Sequence, residues 1–542
     1  MKIGIAQVNT KLGDVEHNYQ KIAQAIQTLG PGSDIIVFPE MTLPGYPLHD
    51  KVFDKNLLKA QKAKLVQVQK ILKGYKKDLT VALGFVDYDD TKTGPDGQWI
   101  KRNAAAVIKA DSIQVYHKQL LPNYDVFYDK RYYNEGTGPT HVRVGNQTAA
   151  ITICEDMRDE GYEIKPVAQA CKAQQTDLII NLSSSPFATG KLSTRLDIIR
   201  NHVKKHKIPF VYVNQIGGQD GNVNDGGSMV VNAAGQVIHA NKTFTEDLCI
   251  VDTNNTMDQT KKVLETNNNK YGQILEAIKL GISDYMKKGG FTDIVIGVSG
   301  GVDSAVSLSI LSMILPPERI HAYYLPSKHS QSEHFVKQLC KNTGVPFTIH
   351  DINSGFQAAI SQYEQINRSK PTGIAYQNIQ ARERGQILGL YANVHNALII
   401  NNSNRTEIAQ GYATIYGDTI GFLSVIGDLM KNEVYELAHY INTISGKDLI
   451  PQSIINRAAS AELEDNQVDP FDYTSDCPAI DEIFCGQDLE VVIKKYGLSR
   501  EKAERLKRAN DRNEFKRVQS PRVIKLKAQS AGLGRLYPII YG

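Results

Sequence analysis

Two groups of residues in this 542-residue chain have the types and settings that chemistry needs. The first is the run Ile296-Gly297-Val298-Ser299-Gly300-Gly301-Val302-Asp303-Ser304-Ala305. Adjacent glycines let a backbone approach a ligand and take positive φ. If a helix begins just after them, its unpaired N–H groups and its dipole favour an anion there. Ser299 and Ser304 add hydroxyl donors. Asp303 would repel phosphate unless a Mg²⁺ ion bridges the two. A Walker loop would end in Gly-Lys-Ser/Thr, whereas Asp303 stands near the lysine position here. The bland alternative is an ordinary strand-to-helix turn. The second group is Glu40, Lys118 and Cys154, each at the end of an apolar run. A thiol nucleophile needs a lowered pKa or a nearby base. A carboxylate can take its proton and a lysine can steady an oxyanion. Taken singly, such a cysteine is usually core, and such a glutamate or lysine usually solvated.

These residues need elements to hold them. Strands are predicted over 2–8, 34–38, 79–86, 103–108, 113–116, 149–153, 177–181, 210–213, 227–231 and 248–251, with helices over 15–29, 163–174 and 190–206. That is a mixed α/β sandwich pattern. Residues 253–269 are polar and lack apolar periodicity, which predicts a linker. After a helix over 271–286, strands and helices alternate: 292–296, 302–315, 319–325, 331–342, 345–349, 376–394 and 396–400. Such alternation predicts a doubly wound parallel sheet, whose ligands bind beyond the strands' carboxyl ends. Two domains are expected, 1–263 and 264–542. The basic residues Arg500, Arg505, Lys507, Arg508, Arg512, Lys516 and Arg517 by themselves read as a solvated face.

Composition narrows the class. With 41% hydrophobic and 22% charged residues, the chain is ordinary for a soluble globular protein. A net charge of +4 gives no reason to expect nucleic acid as a partner. No apolar run reaches the roughly 18 residues a membrane span needs. Met1–Val8 reads as a strand start and not as a signal peptide. Six scattered cysteines without a C-x-x-C pair suit a reducing compartment, so a cytoplasmic protein is expected.

The local wording around the second group changes its weight. Phe38-Pro39-Glu40, Tyr116-His117-Lys118-Gln119-Leu120-Leu121-Pro122-Asn123-Tyr124 and Ile153-Cys154-Glu155-Asp156 resemble the nitrilase superfamily, in particular its amidases. The resemblance implies an αββα sandwich and amide hydrolysis through a thioester, with Glu40 as general base, Lys118 as electrostatic residue and Cys154 as nucleophile. The glutaminase version of that family adds Tyr124 and, within Asn181–Lys191, Ser185 and Lys191 as glutamine contacts. One departure is visible: a Trp often follows two residues after the Cys-Glu-Asp, and Arg158 stands there.

The Ser-Gly-Gly loop in turn resembles the pyrophosphate loop of the N-type ATP pyrophosphatases, whose fold is adenine nucleotide alpha hydrolase-like, a Rossmann-like sheet. Fused to a glutaminase, the chain is similar over almost all its length to the glutamine-dependent NAD⁺ synthetase family. That resemblance implies ATP-dependent amidation of deamido-NAD⁺ through an adenylated carboxylate, releasing AMP and pyrophosphate. ATP and L-glutamine are then co-substrates and Mg²⁺ the cofactor. Besides Gly297 to Ser304, it implies ATP contacts at Asn402, Lys431 and Ser460. Deamido-NAD⁺ contacts are implied at Asn378, Arg382, Glu407 and Lys516, with Asp303 and Glu407 sharing the metal. Ile415 stands where relatives carry a lysine before Tyr416-Gly417-Asp418, so no role passes to it. The resemblance also implies small-molecule partners and a homo-oligomer, dimer or octamer. Competing readings are an N-type pyrophosphatase that amidates a purine nucleotide or aspartate, and a catalytically dead binding protein.

Overall fold

Strand-forming runs separated by short turns pair into sheets here, and amphipathic helices cover their outer faces. The computed structural model describes residues 1–75, 77–460, 462–464 and 471–540. Its chain divides into two compact units, Met1–Gln273 and Ile274–Gly542.

In the first unit, β1 (Lys2–Gln7), β2 (Ile35–Val37), β3 (Thr80–Thr93), β4 (Trp99–Ile108) and β5 (Ile113–His117) share one sheet. A second sheet holds β6 (Thr140–Val144), β7 (Gln147–Ile153), β8 (Leu178–Ser183) and β9 (Phe210–Asn214). After a two-stranded ribbon of β10 (Ile216–Gln219) and β11 (Asn222–Asp225), β12 (Met229–Val231) and β13 (Val237–Ala240) extend the second sheet. β14 (Asp247–Asp252) returns to the first. The orders are β14-β1-β2-β3-β4-β5 and β13-β12-β9-β8-β7-β6. One core joins the facing sides: Ile5, Val37 and Val107 pack with Ile151, Ile180 and Val211. Helix Lys55–Lys73 lies on β3 and β4 and on helix Val15–Leu29. Helix Lys191–His206 buries Leu196, Ile199 and Val203 against Phe210, Tyr212 and Met229 of the other sheet. The layers are therefore αββα.

Several elements differ from the sequence reading. Lys55–Lys73 was not expected as a helix, although Leu57, Leu58, Leu65, Val68 and Leu72 line its buried face. The short strands β6, β10, β11 and β13 carry too few residues for periodicity to show. The stretch 253–269, read as a linker, holds a helix at Thr260–Asn268. Val263 there is buried with Leu192 and Leu196, and Thr260 Oγ1 accepts from Val237 N at 3.1 Å. One buried valine in a polar helix leaves no pattern to read.

The second unit is built on β15 (Asp293–Gly297), β16 (Ile320–Tyr324), β17 (Phe347–Ile349), β18 (Ala397–Asn401), β19 (Leu423–Ser424) and β20 (Arg522–Val523). All pairings are parallel and the order is β17-β16-β15-β18-β19-β20. Chain order reverses between β15 and β18, so the loops after those strands flank the crevice where such sheets bind ligands. Helix Asn353–Asn367 was not expected; only Phe356 and Ile360 of it are buried. The basic C-terminal stretch forms helix Arg500–Arg512, which buries Ala503 and Leu506 and sets Arg500 against Glu490 at 2.7 Å on the surface.

Arg405 ties this unit together. It is fully buried and meets Asp428 Oδ1 at 2.8 Å and Asp481 Oδ1 at 2.7 Å, with its guanidinium over the Phe484 ring. Asp428 also accepts from the N–H groups of Leu526, Lys527 and Ala531. Removing one partner of a buried ion pair costs about 3–5 kcal/mol. Arg405→Ala is expected to lower the calorimetric midpoint of the second unit and leave the first unit's transition in place; an unchanged melting profile would contradict that role.

Candidate functional site

Strand direction brings Glu40 and Lys118 together. β2 is parallel to β3, β3 antiparallel to β4, and β4 antiparallel to β5, so β2 and β5 run the same way. Glu40 and Lys118, just beyond them, share one end of the sheet. Gly84 of β3 permits the approach: a Cβ there would lie 2.1 Å from Met41 N. Both side chains are 1% exposed, and Lys118 Nζ stands 2.8 Å from Glu40 Oε1 and 2.7 Å from Asp129 Oδ2. Asn103 Nδ2 donates to Glu40 Oε1 at 2.7 Å and Ser184 N to Oε2 at 2.9 Å. Tyr46 OH donates to Asp129 Oδ1 at 2.9 Å. Burial alone would strip the Lys118 proton, but the charges of Asp129 and Glu40 outweigh it and hold the ammonium well above its ordinary range.

Cys154 opens a 3₁₀ turn, Cys154–Met157, directly after β7. Its φ is +41°, a left-handed conformation unusual outside glycine and asparagine. Asp156 anchors that turn to the lysine segment. Its carboxylate accepts from Ile153 N at 2.9 Å, Gln119 N at 3.1 Å, Leu120 N at 2.9 Å and Tyr116 OH at 2.8 Å. Burial nonetheless lifts its pKa to about 6. The Cys154 thiol is pushed up to about 12, by burial first and then by the Glu40 charge, while Lys118 pulls it down. A thiol held this way is protonated at neutral pH.

The glutamine candidates border this centre unequally. Tyr124 OH donates to Glu155 Oε1 at 2.9 Å, and Tyr162 OH to the same oxygen at 3.1 Å. Lys191 begins a helix after Gly190, with Nζ 5.9 Å from the Phe127 ring centroid; Phe127 packs edge-on against Tyr124. Ser185 serves the scaffold: its Oγ accepts from buried Arg195 at 3.3 Å and its N–H donates to Asn214 Oδ1 at 2.8 Å. Arg195 in turn pairs with Asp225 at 2.8 Å. The sequence reading missed Asp129 and Asn103, which no local signal marks, and it gave Asp156 no role.

In the second unit the Ser-Gly-Gly run joins β15 to helix Val302–Ser312. Ser299 N and Ser304 Oγ lie 3.2 Å apart, and Ser304 Oγ donates to Gly301 O at 3.1 Å. Gly300 takes φ +80° and faces Ser332. A cavity of about 300 Å³ opens beside the loop. Gly297, Val298, Ser299, Gly301, Val302, Asp303 and Ser304 line it, as do Asn402, Glu407, Lys431 and Ser460 from later segments; Leu388, Ile400 and Ile420 give it an apolar wall. Asn402 Nδ2 donates to Gly297 O at 2.8 Å, while its Oδ1 is buried without a partner. Lys431, 4% exposed, forms an ion pair with Asp303. Burial lowers its proton affinity, but the charges of Asp303 and Glu407 more than restore it. Asn404 Nδ2 donates to Asp303 Oδ1 at 3.0 Å, and Asn404 and Glu407 form a capping box. Asn404 is a further missed residue; Asn-x-x-Glu is its sequence signal. Ser460 belongs to a segment fastened by Glu462 to Ser332 at 2.6 Å and to Arg457. Ala461 of the same match lies outside the described residues.

Three predicted residues stand elsewhere. Lys516 Nζ donates to Gly411 O at 2.7 Å and Ala413 O at 2.8 Å. Arg382 Nε donates to Ile415 O at 3.3 Å, and Asn378 Oδ1 accepts from Thr414 Oγ1 at 2.8 Å. All three hold the 411–415 loop, and none lines the cavity beside the Ser-Gly-Gly loop; Arg382 instead lines a wider cleft of about 510 Å³ with Tyr416 and Gln519. Lys516 and Glu407 do border one small neighbouring cavity. Among the described residues no group of three or more His, Cys, Asp or Glu is placed for a metal. Mg²⁺ asks for less: one or two carboxylates completed by phosphate and water oxygens. Asp303 and Glu407, hard oxygen donors on one cavity, fit it.

Comparison with known proteins follows the same division. Residues 274–520 match the family profile of NAD synthase, and residues 2–262 that of carbon-nitrogen hydrolase. The glutamine-dependent NAD(+) synthetase of Thermotoga maritima is 31% identical, over 99% of this chain and 98% of its own. That of Acinetobacter baylyi is 30% identical, over 100% and 98%. The solved structure of glutamine-dependent NAD+ synthetase from Acinetobacter baumannii, in complex with ADP, superposes with TM-score 0.74 at 29% identity, covering 99% of this chain and 98% of that one. The fold is shared with the Cytophaga hutchinsonii protein at TM-score 0.83 and 20% identity, over 100% and 98%.

The electrostatics at Cys154 carry a sign that can be measured. The Glu40 carboxylate raises the thiol's pKa, so Glu40→Gln is expected to shift the pH midpoint of Cys154 alkylation by iodoacetamide downward, read by mass spectrometry. A midpoint that stays or rises would contradict the arrangement.

Proposed function

The chain belongs to the glutamine-dependent NAD(+) synthetases, and on that premise we propose how its residues divide the work of a carbon–nitrogen ligase that takes its amide nitrogen from glutamine. The first unit hydrolyses L-glutamine. Cys154 Sγ attacks the side-chain amide carbon while Glu40 takes the thiol proton and delivers it to the departing nitrogen, which leaves as ammonia. Water, deprotonated by Glu40, then opens the thioester to give glutamate. Lys118, kept charged by Asp129 and Glu40, stabilises the oxyanion of both tetrahedral intermediates. Tyr124 and Lys191 receive the glutamine, while Ser185 is held by Arg195 and Asn214. Carrying this reading is the buried Lys118 ammonium between two carboxylates beside a buried thiol.

The second unit spends ATP. A carboxylate oxygen of deamido-NAD⁺ attacks the α-phosphorus, pyrophosphate leaves, and ammonia then displaces AMP from the adenylated carbonyl to give NAD⁺. The backbone N–H groups of the Ser299–Val302 turn, with the hydroxyls of Ser299 and Ser304, receive the pyrophosphate, while Val298 N–H stays bonded to Tyr323 O at 2.8 Å. Lys431 adds positive charge on the same cavity. Asn402 offers its unpartnered Oδ1 to the nucleotide, and Ser460 adds a hydroxyl. Asp303 and Glu407 would hold Mg²⁺, which would supply charge neutralisation at the phosphates. Asn378, Arg382 and Lys516 shape the dinucleotide's seat by holding the 411–415 loop, and Glu407 adds a carboxylate to the adjoining cavities.

All six cysteines are free, which suits a cytoplasmic setting. No helix among the described residues is long and apolar enough to cross a membrane. Leu390 and Val394, one turn apart on helix Ile374–His395, are 60% and 68% exposed. Apolar exposure of that kind marks an interaction face and supports a homo-oligomer joined through the second unit. Leu390→Glu with Val394→Glu should lower the mass measured by light scattering, and an unchanged mass would remove that face from the interface.

Purified protein with ATP, deamido-NAD⁺ and glutamine should form NAD⁺. Cys154→Ala is expected to abolish the glutamine-driven reaction and leave the ammonia-driven one. Loss of both would argue against two separable sites, and amidation of a different acceptor would overturn the assignment of substrate.

A further inference from the structure

Arg158 closes the turn that carries the nucleophile. It caps Cys154–Met157, and its N–H donates to Glu155 O at 2.7 Å, which fixes where its side chain starts. Around the thiol, charges are otherwise matched. Lys118 has Glu40 and Asp129, Arg195 has Asp225, Glu155 has Tyr124 and Tyr162, and Asp156 has its four donors. Arg158 keeps a donor in hand: its Nη2 is buried and has no hydrogen-bond partner. The phenol of Tyr212 on β9 is likewise buried without a partner. The Arg158 charge draws down the pKa of Cys154, Tyr124 and Tyr212 alike, each of which burial raises, so it stands within electrostatic reach of all three.

A buried donor left unmade is costly, and a guanidinium pays back most when a carboxylate meets its fork. Resting on the reading of the first unit as a glutaminase, we propose that Arg158 is its specificity-determining residue: the unpartnered guanidinium takes the α-carboxylate of L-glutamine while the side-chain amide lies against Cys154. Glu155, of opposite charge and on the same turn, faces the α-ammonium. Amides that lack the carboxylate leave Arg158 unsatisfied and are rejected, because specificity of this size comes from polar groups stranded by the wrong ligand.

The full chain tests this with two amides that differ only in the carboxylate, L-glutamine and 4-aminobutanamide. The readout is ammonia release, taken as the ratio of kcat/KM for the two on the same sample, which does not depend on the fraction of folded protein. In Arg158→Met the ratio is expected to fall about 10- to 100-fold, mainly through the KM for glutamine, as for loss of a charged hydrogen bond. Arg158→Lys, with a point charge in place of the fork, should keep part of the preference; it carries the test if Arg158→Met does not fold. A ratio within about twofold of wild type in Arg158→Met, or in Arg158→Lys where it alone folds, overturns the inference and leaves the glutaminase reading standing. A wild-type chain that releases no ammonia from glutamine overturns both.

Discussion

A buried lysine ammonium paired with a carboxylate recurs in both units. Lys118 lies between Glu40 and Asp129, and Lys431 is held by the charges of Asp303 and Glu407. Taking such ions out of water costs several kcal/mol each unless geometry and further hydrogen bonds are good. That requirement reaches outward. Asn103, the Ser184 N–H and Tyr46 exist around Lys118 as the groups that complete its carboxylates. Asn404 does the same for Asp303. Charges fixed before any substrate arrives need no reorganisation when charge develops in a reaction, and this is the form of electrostatic help a folded site supplies best.

Topology sets where those pairs can stand. The first unit needs β2, β5 and β7 to end near one another, and two antiparallel steps between β3 and β5 restore the direction that places Lys118 beside Glu40. The second unit needs only the reversal of strand order between β15 and β18. Its cavity is then assembled from loops that follow neighbouring strands, with Asn402 bonded back to Gly297 across the switch.

Legibility in the sequence tracked how local each feature is. The Ser-Gly-Gly loop was readable because its glycines, serines and Asp303 are contiguous between a strand and a helix. The αββα sandwich and the parallel sheet followed from strand runs and from short motifs around Glu40, Lys118 and Cys154. Asp129 and Asn103 were not readable, since their part is defined by partners 11 and 63 residues away. Helix Thr260–Asn268 hid behind a polar sequence with one buried valine. Lys516, Arg382 and Asn378 were read as ligand contacts, and their side chains bond to groups of the 411–415 loop. A sequence motif marks a residue as needed at a site without saying whether it faces the ligand or the loop.

The left-handed backbone at Cys154 has a meaning for how the chain can drift. A non-glycine residue at such φ forgoes about 1–3 kcal/mol, so local stability alone would favour glycine or asparagine at this place. The thiol is retained uphill of that gradient. What holds the slope is Asp156, two residues on, whose four hydrogen bonds fasten the turn to β7 and to the Lys118 segment. Positions 154 and 156 are thus energetically coupled: without the aspartate's hydrogen bonds, the cysteine's left-handed backbone would be costlier to hold.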